Sequence, residues 1–174
     1  LANLTEQNDA FIYGGGDAKL GSIAGGGRTL GTSLRAKFLA STPGLSTLIT
    51  TVKGAVAKCG AIKGIDKRRI AVRSDHAALN YRLQNAGAVV CKQWGCDWDD
   101  QLQEAGLKHG WDGDYVFLSW SHDEFQLAVR DNPETIEIVK SIGIKTGREA
   151  GDPFGFACPL DVEVKIGRNW AECH

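Results

Sequence analysis

Hydrophobic and polar residues alternate with period two in one segment near the middle of the second half of the chain. The apolar run YVFL, residues 115–118, is followed after a short polar stretch by Phe125, Leu127 and Val129, which alternate with other residues. Period-two alternation is typical of β-strands, so the segment predicts an antiparallel hairpin. Its bend falls in SHDE, residues 121–124, where two acidic residues stand in place of the usual Gly or Asn.

Most of the remaining chain has the hydrophobic spacing of helices. The basic stretch GAIKGIDKRRIAVR, residues 60–73, is the exception and predicts a second hairpin that turns at Asp66 and Lys67. Helices are predicted over 32–42, over 45–57, from about 76 toward 107 with a break near Gly95, and over 133–142; a last strand is predicted over 161–166. Helices combined with local strand pairs indicate an α+β fold.

Composition indicates one ordinary globular unit of 174 residues, with 43% hydrophobic and 24% charged residues. No apolar run approaches the roughly 18–20 residues that a membrane span requires. The five cysteines are odd in number and contain no C-x-x-C pair, which favours reduced thiols in a cytosolic protein. The glycine-rich region before residue 28 is not a phosphate loop, because Ser22 stands where that pattern requires Lys.

A net charge of −1 argues against attraction of the whole surface to nucleic acid, but one segment is locally basic. Its cations are Lys53, Lys58, Lys63, Lys67, Arg68, Arg69 and Arg73, and its only acid is Asp66. Such a run is either a solvated face or a surface that binds phosphates. The sequence alone leaves both interpretations open.

Three uncharged or weakly basic polar side chains recur every four residues in the long predicted helix. His76, Asn80 and Gln84 drift by only about 40° per step around a helix, so they share one stripe. Hydrogen-bonding groups at this pitch suit the minor-groove edge of base pairs, where acceptors occur at every pair. The alternative is a polar flank that faces water.

The acidic bend of the 115–129 hairpin is a candidate Mg²⁺ site. Mg²⁺ typically takes one or two protein carboxylates together with water and substrate phosphates. Neighbouring residues of a strand point to opposite faces, so Asp123 and Glu124 are not expected to hold one ion together unless the turn reorients them. We therefore expect a distant carboxylate partner, the alternative being an exposed acidic turn.

Four segments, taken in order, resemble the C-terminal polymerase region of family A DNA polymerases, in particular the replicative polymerases of short-tailed phages. They are AFIYGGGD at 10–17, RSDHAALNYRLQNAGA at 73–88, SHDE at 121–124 and the ending CPLDVEVKIGRNWAECH. The resemblance implies part of a right-hand polymerase, with a palm antiparallel sheet, flanking helices and remnants of the fingers. It implies a lead of unrelated sequence at 1–9, the end of the fingers at 10–60 and a palm with a metal-binding hairpin at 61–174.

The resemblance also implies roles for individual residues. Tyr13 and Gly14 match the end of the fingers helix, near the templating base and the nascent pair. His76, Asn80 and Gln84 match the helix that follows the primer-template minor groove, which favours DNA binding by the nearby Lys67, Arg68, Arg69 and Arg73. Asp123 would bind both catalytic Mg²⁺ ions, His122 would lie near the primer-end phosphate, and Glu124 would support the site.

Other positions depart from the family pattern. Members carry Arg, Lys and an aromatic residue at four-residue intervals before the Tyr, where this sequence has Leu1, Thr5 and Asp9. The second metal-binding Asp, in a motif like D-Y-S-x-x-E, has no match. The interpretation is therefore the C-terminal portion of a DNA-directed DNA polymerase, a transferase of DNA replication, that is inactive alone.

Partners implied by the resemblance are primer-template DNA, deoxynucleoside triphosphates and a separate N-terminal polymerase chain. No membrane is implied, and the expected compartment is the cytoplasm of a phage-infected bacterial cell. Two alternatives stay open: a non-catalytic fragment that binds primer-template DNA, and a nuclease that uses one metal ion with Asp123 and Glu124.

Overall fold

The computed structural model describes residues 11, 15–74 and 77–173. Within these ranges the helices are α1 (Asp17–Ile23), α2 (Arg28–Ser41), α3 (Pro43–Cys59), α4 (Ala78–Glu104), α5 (Pro133–Glu149) and α6 (Trp170–Cys173), with a 3₁₀ turn at Asp152–Phe154. The strands are β1 (Ala61–Lys63), β2 (Arg69–Ala71), β3 (Tyr115–Ser121) and β4 (Glu124–Val129). The strands form two antiparallel pairs, β1–β2 and β3–β4, which confirms the α+β class and both predicted hairpins.

The chain divides into two compact units, Leu1–Ala86 and Gly87–His174. The first contains α1 to α3, the β1–β2 hairpin and the beginning of α4. The second contains the rest of α4, the β3–β4 hairpin and everything that follows. Among the described residues, no helix is long and apolar enough to cross a membrane.

In the first unit, α1 and α2 pack closely because glycines stand at their contact. A Cβ on Gly31 would lie 1.8 Å from the carbonyl oxygen of Asp17, so no larger residue fits there. Arg35 of α2 then fixes the N-terminus of α1: its Nε lies 2.5 Å from the Asp17 carboxylate, and its guanidinium covers the Phe11 ring at 4.9 Å. These contacts lie before the basic segment and hold the helices that precede it.

The β1–β2 hairpin packs on α3 and on the start of α4 through its apolar face. Ile62 pairs with Ile70 across the hairpin, and both lie against a buried cluster with Val52, Val56 and Ala78. On the other face of the hairpin Ala61 is buried, whereas the Lys63–Arg69 pair is exposed. Alternation along two three-residue strands therefore buries the isoleucines and directs the cations outward.

The second unit is organised around two tryptophans of α4. Trp94 and Trp98 stack with their ring centroids 5.5 Å apart, and Phe125 of β4 meets the Trp94 ring edge-on at 5.1 Å. Both indole N–H groups donate to carbonyls of α5: Trp94 Nε1 to Gly143 O at 2.9 Å and Trp98 Nε1 to Val139 O at 3.0 Å. This aromatic core fixes the β3–β4 hairpin and α5 against α4.

Two sequence predictions about the second unit are wrong. The helix does not break near Gly95, because α4 continues to Glu104; the glycine instead permits close packing, since a Cβ there would lie 2.8 Å from Phe125 Cζ. The predicted strand over 161–166 is absent from the structure. That segment is held by side chains instead: Arg148 Nε donates to the Asp161 carboxylate at 2.9 Å.

Candidate metal-binding hairpin and nucleic-acid surface

The bend of the β3–β4 hairpin is a two-residue turn formed by His122 and Asp123. Ser121 and Glu124 are the last cross-strand pair before it. His122 adopts a left-handed backbone conformation with φ of 56°, which non-glycine residues adopt rarely and at a cost of about 1–2 kcal/mol. Trp120 stabilises this turn, because its Nε1 donates to the His122 carbonyl oxygen at 2.8 Å.

The two faces of this hairpin differ in chemistry. Phe117, Trp120 and Phe125 lie on the face that joins the aromatic core. Ser119 pairs with Gln126, and Ser121 with Glu124, on the opposite face. A register shift between Phe117 and Ser119, where Leu118 is the extra residue, allows both halves of β3 to keep their apolar side chains on the core face.

Asp123 is exposed and has no hydrogen-bond or ion-pair partner among the residues that the structure describes. It lies near Cys91 of α4, since burial raises the pKa of that thiol and the Asp123 carboxylate raises it further. A carboxylate with no hydrogen-bond or ion-pair partner has both of its oxygens open to another ligand. It is therefore available to a cation.

Glu124 is in a different position, although it adjoins Asp123. It is half-buried at the start of β4, and Gln126 Nε2 donates to its Oε1 at 2.8 Å. Ser119 Oγ in turn donates to Gln126 Oε1 at 2.8 Å, which directs the amide nitrogen toward the glutamate. Asp123 therefore lies in the turn, whereas Glu124 lies on the polar face of the hairpin.

The hairpin offers the type of ligand atom that Mg²⁺ prefers, but too few ligands to hold the ion. Asp123 supplies hard carboxylate oxygens, which Mg²⁺ prefers. Within the described ranges, however, no three His, Cys, Asp or Glu residues come together as a metal cluster. A Mg²⁺ ion at Asp123 would therefore need further oxygen ligands from another carboxylate, from water and from substrate phosphates.

The first part of α4 presents its amide side chains unequally. Gln84 is exposed, whereas Asn80 is half-buried and its Oδ1 is fully buried without a hydrogen-bond partner. Asn85 is likewise half-buried, and its Oδ1 is also buried without a hydrogen-bond partner. Three predicted site residues, His76, Tyr13 and Gly14, lie outside the residues that the structure describes.

The basic residues of the β1–β2 hairpin are all exposed. Lys63 and Arg69 stand directly opposite each other, an arrangement of like charges that does not favour strand pairing. Arg69 Nη2 donates to the Cys59 carbonyl oxygen at 3.1 Å, which ties the side chain to the end of α3. Lys67 is at the turn with φ of 66°, and no described residue forms a salt bridge with it.

Asp66, the one acid of this hairpin, is directed at Arg68. Partial burial raises the pKa of the Asp66 carboxyl, but hydrogen bonds from the Arg68 side chain and backbone N–H outweigh this and hold it below its ordinary range. The carboxylate thus offsets one of the cations and shapes the turn. The other exposed cations, including Arg73, leave the hairpin surface positive.

Comparison with known proteins gives consistent results. The sequence model of DNA polymerase family A matches residues 6–172. DNA-directed DNA polymerases of Enterobacteria phage T3 and Escherichia phage T7 are 42% and 41% identical to the chain; each alignment covers 94% of the chain and 25% of the relative. DNA polymerase I of Aquifex aeolicus is 28% identical over 80% of the chain and 23% of its own length.

Among solved structures, the chain resembles the POL domain of Pol1 from M. smegmatis, which was determined in complex with DNA primer-template and dNTP. The TM-score is 0.82 at 20% identity, and the match covers 99% of this chain and 30% of that one. At this identity the likeness shows the fold, which is that of part of a right-hand polymerase.

Proposed function

The chain belongs to DNA polymerase family A, and on this basis we propose that it forms the C-terminal part of the active site of a DNA-directed DNA polymerase. It spans about a quarter of the length of the curated phage relatives that it matches. The observation that carries the proposal is Asp123, an exposed and unpaired carboxylate on a turn held by an aromatic core. We propose that the complete polymerase acts in the cytoplasm of a phage-infected bacterium.

In this proposal Asp123 provides oxygen ligands to Mg²⁺, with water, phosphates and a further carboxylate completing the set. Two bound Mg²⁺ ions would activate the primer 3′-hydroxyl and stabilise the leaving pyrophosphate. Glu124, whose carboxylate accepts from Gln126, is proposed to support the site without occupying the same position. His122, which is exposed beside Asp123, is proposed to hydrogen-bond a primer-end phosphate.

The buried oxygen of Asn80 supports the minor-groove role of α4. Because Oδ1 faces inward, the accessible end of the amide is the donor Nδ2. Purine N3 and pyrimidine O2 are acceptors at every base pair, so an outward donor has the correct polarity. Gln84, one turn further along and exposed, extends the same stripe; His76, Tyr13 and Gly14 keep their proposed contacts with DNA and nucleotide as predictions from sequence.

The basic hairpin is proposed to bind the phosphates of primer-template DNA. Lys67, Arg68, Arg69 and Arg73 are its contacts, with Asp66 setting the orientation of Arg68. Each phosphate contact releases counterions, so DNA affinity is expected to fall as salt rises, with a slope of about −0.9 in log–log form per duplex phosphate neutralised.

We further propose that the 174-residue chain does not polymerise DNA by itself. Among the described residues no group of three metal-ligating side chains forms around Asp123. Leu1, Thr5 and Asp9 do not have the side chains that hold a triphosphate in the family pattern. A separate N-terminal polymerase segment would supply both. The isolated chain would then be a DNA-binding module, and its exposed cationic hairpin is the observation that favours this second candidate.

Primer extension tests these proposals. The chain is assayed with Mg²⁺ and the four deoxynucleotides, alone and with the N-terminal three quarters of the phage T3 polymerase. Extension is expected only in the mixture and is expected to be abolished by Asp123→Ala. The control Asp112→Ala removes another exposed acid of the same unit and should leave extension unchanged.

Two results would contradict the proposal. Extension by the chain alone, lost on Asp123→Ala, would show that no second segment is required. Degradation of DNA in the absence of nucleotides, dependent on Asp123 and Glu124, would favour the nuclease instead.

A further inference from the structure

Asn85 has an unusual environment for an amide side chain. Its Oδ1 is fully buried and has no hydrogen-bond donor. This oxygen lies against Gly64 in the β1–β2 turn, where a Cβ on the glycine would be only 2.3 Å from it. The nitrogen Nδ2 is not buried and makes no hydrogen bond with another described residue, so it is the accessible end of the group.

Folding stability does not explain an asparagine at this position. Burial of an amide oxygen without a donor lowers stability, and an apolar side chain of similar size would avoid that loss. A residue that is unfavourable for the fold and that presents a free donor at the surface is a candidate for ligand binding. The acceptor that it meets must come from outside the described residues.

The position of Asn85 indicates which acceptor this is. It follows Gln84 on α4, about 100° further around the helix, and faces the turn of the basic hairpin. That turn is closed by Gly64 N–H, which donates to the Arg68 carbonyl oxygen at 2.8 Å. Asn85 thus adjoins both Gln84, an exposed amide proposed to contact base edges, and the hairpin whose cations are proposed to contact phosphates.

We propose that Asn85 is a further DNA-binding residue, which donates its side-chain Nδ2 to a phosphate oxygen of the primer-template. This inference rests on the proposed DNA-binding role of α4 and the basic hairpin. Asp66 is close to the same glycine, with its Oδ1 2.5 Å from the position of a Gly64 Cβ. Its charge is offset by Arg68, so it does not exclude a phosphate from this place.

The test combines DNA binding with thermal unfolding. The full chain is titrated with a fluorescent primer-template duplex at several salt concentrations, and Asn85→Leu is compared with the parent. The loss of one hydrogen bond to a charged oxygen at a partly exposed site is expected to weaken binding about five- to tenfold. The salt slope should stay the same, because a neutral amide releases no counterion.

The melting temperature is expected to stay equal or rise in Asn85→Leu, since the buried oxygen is removed. Asn85→Ala serves the same purpose if the larger side chain does not fit. Gln103→Leu, an exposed amide near the other end of α4, is the matched control and should leave binding unchanged. Arg68→Ala should lower the salt slope by about one unit, which distinguishes a charge contact from an amide contact.

The outcomes separate failure of the Asn85 inference from failure of the proposed DNA-binding function. A variant at Asn85 that melts earlier and binds DNA as the parent does would overturn the inference and indicate an amide turned toward Asp66. If Arg68→Ala and Gln84→Ala weaken binding but Asn85→Leu does not, this inference fails while the proposed function stands. If none of these variants changes binding, the proposed function of the surface fails as well.

Discussion

Replacement of Gly143 by alanine tests the aromatic core that supports the candidate metal-binding hairpin. A Cβ at this position would lie 2.5 Å from Trp98 Cζ2 and 2.6 Å from Trp98 Cε2. The indole cannot shift freely, because its Nε1 donates to Val139 and its ring stacks on Trp94. The new methyl group must therefore displace α5 or break one of these contacts.

The opposing contributions can be compared. Alanine in place of glycine within a helix gains about 1 kcal/mol of helix propensity. Overpacking of a core typically loses about 1–3 kcal/mol, and loss of the indole hydrogen bond adds about 0.5–1.5 kcal/mol. The net expectation for Gly143→Ala is a destabilisation of about 0.5–3.5 kcal/mol.

Gly87→Ala is the matched control, because Gly87 is also helical but nothing lies within 4 Å of its Cβ position. There only the propensity gain applies, so this variant is expected to stabilise the chain by about 0.5–1 kcal/mol. Urea unfolding followed by tryptophan fluorescence measures both free energies. Stabilisation by Gly143→Ala equal to that by Gly87→Ala would refute the contact between Trp98 and α5.

Three further predictions concern single side chains. Asp17→Asn should lower the melting temperature at pH 7, because hydrogen bonds from Arg35 and Thr32 hold the pKa of Asp17 below its ordinary 3.8. The charged carboxylate therefore stabilises the folded chain above pH 3.8. The difference in melting temperature between the variant and the parent should vanish as the pH falls through the lowered pKa. Asp123→Asn should accelerate the alkylation of Cys91 by iodoacetamide in EDTA, because the Asp123 carboxylate is one cause of the raised pKa of the Cys91 thiol. Mass spectrometry measures the rate. An unchanged rate would contradict the proximity of Asp123 and Cys91. Asn132→Ala should destabilise the chain by about 1 kcal/mol in thermal unfolding, since its Oδ1 accepts from the Glu134 N–H at 2.9 Å as the cap of α5.

Local patterns in the sequence were sufficient for the hairpins and for most helices. Strands that pair across a short turn show their alternation and their turn within one segment, as in 115–129. The alternation of Val162, Val164 and Ile166 was misleading for the same reason. It indicates a chain with one apolar face, but it does not show that a neighbouring strand exists to pair with it.

Contacts between distant residues explain the other errors. The sequence predicts that Gly95 breaks the helix. Its role in the structure is to leave room for the ring of Phe125, which lies thirty positions further along the chain. Asp123 was identifiable from the sequence as a candidate, because acids at a tight bend are unusual in themselves. Asn85 was not, because what distinguishes it is the buried state of one amide oxygen, which no spacing of residues reveals.

The extra residue in β3 determines how this hairpin can change in length. If Phe117 and Leu127 continued as a regular ladder, Trp120 would face Glu124 and the bend would hold three residues instead of two. Leu118 is left out of the strand pairing at the register shift. The pairs next to the bend, Trp120–Phe125 and Ser121–Glu124, are therefore fixed by the position of the bend and not by the register of the pairs that begin at Tyr115. Loss of Leu118 should therefore leave the acidic turn in place, whereas loss of one residue between Trp120 and Asp123 would transfer the carboxylate to the wrong side of the strand pair.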